Sequence, residues 1–193
     1  MTKPDFSKLD KDNIVDFIAD IFARRGAEEY LGEDVSISEH MYQAGHLAEE
    51  AGASEEIIVA ALLHDIGHFT NEFPDNAAEL GIDSHHDRAG AAVVAPFFPS
   101  IVTDCIRHHV SAKRYLCAVD PDYFATLSDA SVLSLKLQGG PLTPEAADKF
   151  AQNEDVEAIV QVRKWDDEAK VPEKKTETFA YFAPMIQRVV DRP

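Results

Sequence analysis

Basic residues are scarce in this chain: 18 Lys and Arg stand against 35 Asp and Glu, for a formal net charge of −17. A negative field of that size repels phosphodiester backbones and anionic lipid heads, so nucleic acid and membrane surfaces are excluded as expected partners. Cysteine is scarcer still. Cys105 and Cys117 lie outside any C-x-x-C spacing, and no secretory leader is recognisable, so both are expected to be reduced thiols used for packing in a cytoplasmic protein. No apolar run reaches membrane-spanning length, the first residues through Leu9 are polar and include Pro4, and no internal repeat or low-complexity tract is visible. Nor does any stretch alternate in the way a strand requires. With 193 residues, the length suits one domain, residues 1–193, around one core.

What is present is helical periodicity. Ile14, Phe17, Ile18, Ile21 and Phe22 form one apolar stripe, stopped by Arg24-Arg25-Gly26. A loop over Glu28–Ile37 leads into a helix from about Ser38 to Glu50, and Ser54 can cap an apolar helix over Ile57–Ile66 that ends in His64, Asp65 and His68. A polar region with Pro74 and Gly81 precedes a helix from His85-His86 through Ala95, which Pro96 and Pro99 interrupt. Helices are expected over Ile101 to about Leu116 and from Pro121 to Leu137, the latter closed by Gly139-Gly140-Pro141. Thr143-Pro144 reads as a cap followed by a first-turn proline. Val156, Ile159 and Val160 open a helix carrying Arg163 and Asp166, and Phe179, Phe182, Ile186 and Val190 pattern the last one. The expected fold is an all-α bundle.

Eight histidines fall at positions 40, 46, 64, 68, 85, 86, 108 and 109, mostly near expected helix ends. An isolated helical histidine is more often packed or solvated than ligating, and that reading applies to His46, His85 and His108. His64-Asp65 differs. A carboxylate at the end of a nearly apolar helix is costly to bury without a cation or strong hydrogen bonds, and a metal supplies that compensation. Imidazole and carboxylate donors without thiolates suit iron, manganese or zinc, and a carboxylate can bridge two ions.

In order along the chain, His40, His64-Asp65, His86, His109 and Asp166 resemble the HD superfamily, a group of helical metal-dependent enzymes; the likeness covers about residues 30–170. It implies a dinuclear centre in the core of a helical bundle. It further implies His40, His64, Asp65 and Asp166 on one metal and Asp65, His86 and His109 on the other, with Asp65 bridging. His86 is preferred to His85 because Gly90-Ala91 follows four residues on, His109 to His108 because of Val110 to Lys113, and Asp166 to Asp167 because of Lys170. These choices rest on motif spacing.

Spacing adds a second pattern. His64 with His68, His109 with Lys113, and Arg163 with Asp166 are each three or four residues apart, so each ligand candidate shares a helix face with an anion-binding side chain. If the ligands converge, His68, Lys113 and Arg163 gather beside them as a cationic pocket suited to phosphate or phosphonate, with Ser131 and Ser134 as hydroxyl donors. The plainer alternatives are solvated helix charges and surface serines.

Most HD proteins hydrolyse phosphate esters, so a phosphohydrolase acting on a nucleotide or small ester is one reading. Tyr30-Leu31-Gly32-Glu33, Lys113-Arg114-Tyr115-Leu116, Leu137-Gln138-Gly139-Gly140-Pro141 and Arg163-Lys164-Trp165-Asp166 instead resemble a small HD branch of mixed-valent diiron oxygenases. That resemblance implies two iron ions as Fe(II)/Fe(III), dioxygen as co-substrate, and a small organophosphonate as substrate. The reaction implied is oxidative cleavage of the C–P bond of a 1-hydroxy-2-aminoethylphosphonate or its N-trimethyl analogue, giving phosphate plus glycine or glycine betaine. Tyr30 would guard an open metal position, hydrogen-bonded through Glu33, and His68, Lys113, Ser131, Ser134 and Arg163 would hold the phosphonate. The acidic loop around Tyr30, Glu33 and Asp34 would receive the cationic amine end, with the trimethylated substrate slightly preferred.

Overall fold

The computed structural model describes residues 6–30, 32–70 and 81–192; Pro4, Leu31 and Pro74 lie outside them. The described residues form α1 (Ile14–Arg25), α2 (Ile37–Glu50), α3 (Glu55–Leu63), α4 (Gly67–Thr70), α5 (His86–Val94), α6 (Ser100–Val119), α7 (Asp129–Leu137), α8 (Pro144–Phe150), α9 (Val156–Glu168) and α10 (Phe179–Val190). Two short 3-10 turns accompany them, and the one β feature among these residues is an isolated bridge between Glu29 and Ser36. The fold is all-α.

At its centre is α3, whose run Ile58 to Leu63 is buried on every side, so it has little amphipathic character and is covered by α2, α6, α9 and α10. Around it Ile14, Ile18, Met41, Ile106, Ile159, Phe182 and Ile186 are essentially inaccessible, each burial stabilising by roughly 1.5–3 kcal/mol. Local chemistry fixes where the helices begin. Ser36 caps α2 through a capping box with Glu39, and Thr143 caps α8 ahead of Pro144.

Two boundaries differ from the sequence expectation. The helix expected over Ile57–Ile66 stops at Leu63; His64, Asp65 and Ile66 form a tight turn, with Ile66 N–H bonded to Leu63 O and His68 N–H to Asp65 O at 3.0 Å. The helix expected from Pro121 to Leu137 is broken: a 3-10 turn covers Tyr123–Thr126, and α7 begins only after Ser128, whose extended backbone and hydroxyl cap the N–H of Ser131. Ser54 precedes α3 without making a side-chain cap.

α4 and α5 meet at van der Waals contact of their backbones. A Cβ on Gly67 would overlap the carbonyl oxygen of His86 and lie 2.9 Å from Gly90 N, so only glycine permits this approach. The approach carries His68 over His86, their rings stacked at 4.2 Å.

Candidate metal centre and anion cavity

The turn after α3 aims His64 and Asp65 at one point, where His40 from α2, His86 from α5, His109 from α6 and Asp166 from α9 also arrive; all six are buried. His40 donates its Nδ1–H to Ala169 O at 2.9 Å, His64 to Ala61 O at 2.7 Å and His109 to Ile106 O at 2.8 Å. A carbonyl only accepts, so Nδ1 carries the proton, and in its neutral form each ring presents a bare Nε2 lone pair inward.

Those lone pairs face other acceptors. His40 Nε2 stands 3.0 Å from His64 Nε2, and Asp65 Oδ2 is 3.6 and 3.5 Å from the same two atoms. Asp166 Oδ1 lies 3.4 Å from His40 Nε2 and 3.8 Å from His64 Nε2. On the other side, His86 Nε2 and His109 Nε2 are 3.0 Å apart, each 3.3 Å from Asp65 Oδ1. Asp65 Oδ1 and Asp166 Oδ1 are buried with no hydrogen-bond partner. Acceptors crowded this closely repel unless a cation sits among them, and about 3 Å is the ligand-to-ligand edge expected for metal–nitrogen bonds of about 2.1 Å. The donor set therefore fits metal binding, with Asp65 Oδ2 turned to His40 and His64 and Oδ1 to His86 and His109. The demand for positive charge shows in His64 too. Burial favours its neutral form, yet the carboxylates of Asp65 and Asp166 outweigh burial and raise its pKa to about 9.

By distance His68 also joins the second group, because its Nε2 is 3.9 Å from Asp65 Oδ1. His109 is the better ligand candidate: its ring is anchored to a backbone carbonyl, whereas His68 Nε2 is buried without a partner. Burial, together with His86 alongside, drives the His68 pKa down to about 3, so its ring is neutral.

Next to the metal donors is a cavity of about 30 Å³, lined by Tyr30, His68, Lys113, Ser131, Ser134, Gln138, Arg163 and Lys170 together with Asp65, His86, His109 and Asp166. Lys113 donates to Ser134 Oγ at 2.7 Å, and Lys170 to Ser131 Oγ at 3.1 Å. Burial, with Arg163 nearby, lowers the Lys113 pKa to about 7. Arg163 gives one N–H to Asp166 Oδ2 at 2.7 Å and its remaining edge to Asp167 and Tyr123, which hold the guanidinium from behind. His68, Lys113, Ser131, Ser134 and Arg163, the anion-binding candidates from the sequence, thus all line this cavity.

Tyr30 and Glu33 are arranged differently from expectation. The Tyr30 hydroxyl donates to Asp65 Oδ2 at 2.8 Å, and the ring stacks on His40 at 4.0 Å. Glu33 reaches Tyr30 only through its backbone N–H, 2.8 Å from Tyr30 O; its carboxylate accepts from Ser128 Oγ at 2.6 Å and lies 3.7 Å from Lys170 Nζ. The carboxylate is drawn away because Ser128, the cap of α7, offers a hydroxyl and Lys170, just beyond α9, an ammonium, while the Tyr30 hydroxyl already has the Asp65 carboxylate as its acceptor.

Within the ambiguous pairs, His85 is exposed beside Asp83 while His86 points inward; His108 packs toward Phe150 while His109 faces Asp65. His46 accepts from Glu177 N–H, and Asp167 serves Arg163 and Tyr123. Sequence reasoning passed over Tyr123, Asp167, Ser128 and Lys170 as site residues. Ser128 followed by Asp129 was a readable cap signal, and Asp167 sits at i+4 from Arg163; Tyr123 has no local signature.

A helical core with a His-Asp pair in a turn, facing further histidines, is the arrangement of one protein family, and the chain belongs to it: the HD domain model matches residues 37–151. Within that family it is similar, at 54% identity over 192 residues covering 100% of this chain and 98% of the relative, to the [1-hydroxy-2-(trimethylamino)ethyl]phosphonate dioxygenase (glycine-betaine-forming) of Leisingera caerulea. It is 47% identical over 145 residues, 75% of this chain and 72% of the relative, to the hydroxymethylphosphonate dioxygenase of Gimesia maris. An uncharacterized protein of Acanthamoeba polyphaga mimivirus is 33% identical over 170 residues, 87% of this chain and 78% of the relative. No helix among the described residues is long and apolar enough to cross a membrane.

Proposed function

We propose that this chain is an iron- and dioxygen-dependent enzyme that cleaves the C–P bond of 1-hydroxy-2-(trimethylammonio)ethylphosphonate, with the primary-amine analogue as the second candidate. It acts as one cytoplasmic domain over residues 1–193. The observation that carries this reading is the junction of two sites: a six-residue donor set for two metals opens directly into a cavity walled by Lys113, Arg163 and Lys170. The similarity to the two phosphonate dioxygenases supports the same reading.

His40, His64, Asp65 and Asp166 would hold one iron, and Asp65, His86 and His109 the other. The iron pair, mixed-valent at rest, supplies activation of dioxygen and oxidation at C1. The protein's own residues do the binding and orienting. Lys113, Arg163 and His68, with the hydroxyls of Ser131 and Ser134, hold the phosphonate oxygens so that C1 faces the donor set. Tyr30, bonded to Asp65, covers that face until substrate arrives, which keeps oxygen from reacting unproductively. At about 30 Å³ the cavity holds a water or two, less than a phosphonate needs, so lining side chains must move for substrate to enter. Atoms balance: R–CH(OH)–PO₃²⁻ plus O₂ gives R–COO⁻, HPO₄²⁻ and H⁺, C1 losing four electrons and O₂ gaining four. The loop around Tyr30, Glu33 and Asp34 takes the cationic end.

Anaerobic reconstitution with iron, followed by electron paramagnetic resonance before and after each phosphonate is added, tests this. A coupled Fe(II)/Fe(III) signal perturbed by the trimethylated substrate supports the proposal; two or fewer uncoupled metals unaffected by any phosphonate contradict it.

A further inference from the structure

A surface lysine is normally free to swing, but Lys170 is not. The residue before it, Ala169, accepts the Nδ1–H of His40 on its carbonyl at 2.9 Å. The residue after it, Val171, is held at both ends of its backbone by Gln43: Val171 N–H donates to Gln43 Oε1 and Gln43 Nε2 donates to Val171 O, each at 3.0 Å. Gln43 is itself buried in α2. Residue 170 is thus fixed on either side to the helix that carries His40, and its side chain is only 11% exposed. Such anchoring of a cation's backbone is the kind of support a binding site requires.

The ammonium sits between two groups of opposite consequence. Ser131 Oγ, 3.1 Å away, belongs to the cavity wall, one helical turn from the Ser134 that receives Lys113. Glu33 Oε1, 3.7 Å away, belongs to the loop that carries Tyr30, and the Glu33 N–H is bonded to Tyr30 O at 2.8 Å. The same ammonium lies 5.9 Å from the centre of the Tyr30 ring.

We propose that Lys170 is a further contact of the bound anion, and that its ammonium is shared between that anion and Glu33, so that anion binding loosens the loop bearing Tyr30. The proposal rests on the phosphonate reading of the cavity. A doubly charged oxyanion beside Ser131 competes with the single carboxylate of Glu33 for the ammonium, and the closer, more highly charged partner wins. The Glu33 carboxylate then keeps only Ser128, and the loop that bears Tyr30 loses its tie to Lys170, which leaves the Tyr30 hydroxyl bond to Asp65 as the one to be released. Movement of Tyr30 is what a cavity of this size needs before substrate can enter.

The test uses the iron-loaded protein, with inorganic phosphate as the binding probe, and compares the wild type with Lys170→Met, Lys170→Arg and, as an exposed control on α9, Lys164→Met. Calorimetry gives the phosphate Kd, and hydrogen–deuterium exchange follows the amides of residues 26–36 with and without phosphate. Lys170→Met is expected to weaken phosphate binding at least tenfold with iron content unchanged, and Lys170→Arg to stay within about threefold of wild type. In the wild type, phosphate should speed exchange in 26–36; in Lys170→Met exchange should be fast already and indifferent to phosphate. Wild-type affinity in Lys170→Met, or exchange in 26–36 that ignores phosphate in the wild type, overturns the proposal alone. Should the wild type bind neither phosphate nor a phosphonate, the reading of the cavity falls and this inference with it. A misfolded Lys170→Met leaves Lys170→Gln, which keeps a hydrogen bond to Ser131 without the charge and must show the same tenfold loss.

Discussion

The hydroxyl of Tyr30 donates to Oδ2 of Asp65 at 2.8 Å, and Oδ2 is the oxygen that faces His40 and His64. Of the groups around the Asp65 carboxylate, the phenol is the one that can be released without dismantling the donor set. Burial, reinforced by Asp65, raises the Tyr30 pKa well above its ordinary value, so the phenol stays a donor. Tyr30→Phe removes that donor and leaves the ring stacked on His40. The expected variant binds iron normally but consumes oxygen in excess of the phosphate it releases, by about twofold or more, as read by an oxygen electrode and a phosphate assay on the same sample. Tight coupling in the variant would remove the guarding role.

Gly67 and Gly90 bring α4 against α5, and the backbone oxygen of His86 lies where a Cβ on residue 67 would go. Gly67→Ala therefore pushes α5 outward and takes His86 from its place opposite His109. A destabilisation of roughly 1–3 kcal/mol, seen as a fall of several degrees in Tm, should accompany loss of at least half the bound metal. Metal analysis and calorimetry on one preparation check both.

The adjacent acids Asp166 and Asp167 have separate tasks. Asp166 Oδ1 faces His40 and His64, while Asp167 grips Arg163 and receives the Tyr123 hydroxyl. Asp166→Asn should lower metal content. Asp167→Asn should leave metal content intact and raise KM about tenfold, because Arg163 loses the support that fixes its orientation. Equal metal loss in both variants would contradict the division.

Burial first, and Arg163 second, bring the Lys113 pKa down to about 7. Below that pH the group is an ammonium that attracts an anion; above it the group is a neutral amine. Phosphonate affinity should therefore weaken as pH rises through about 7, approaching tenfold per pH unit at the steepest, and complex formation near neutrality should take up protons. The substrate's own ionisation works in the opposite sense, so the comparison is with Lys113→Met, which should bind weakly throughout and lose the Lys113 contribution. Calorimetry in buffers of differing ionisation enthalpy between pH 6 and 8.5 measures it. A profile identical in the two proteins would refute the assignment.

Much of this architecture was legible in the sequence. The buried stripe of α1, the proline ahead of α6 and the glycine pair after α7 mark their helices because period and backbone stereochemistry act locally. What escaped depended on distant partners. Leu127-Ser128 breaks the helix expected from Pro121 because the Ser128 hydroxyl is used twice, by Ser131 N–H and by Glu33 95 residues away. Glu33 follows Ser128 and Lys170 and not the Tyr30 hydroxyl, since a carboxylate goes where ammonium and hydroxyl donors converge, and only the fold determines where that is. His64-Asp65 looked like the end of a helix and is a turn. That difference matters, because neighbours on an ideal helix diverge by about 100° and this pair must face one centre.

Oxidation, as opposed to hydrolysis, is the core of the functional account, and oxygen stoichiometry tests it most directly. With iron-loaded protein and 1-hydroxy-2-(trimethylammonio)ethylphosphonate, one O₂ should disappear for each phosphate formed, with none formed under argon. Phosphate released at the same rate without oxygen would contradict the account and return the site to hydrolysis.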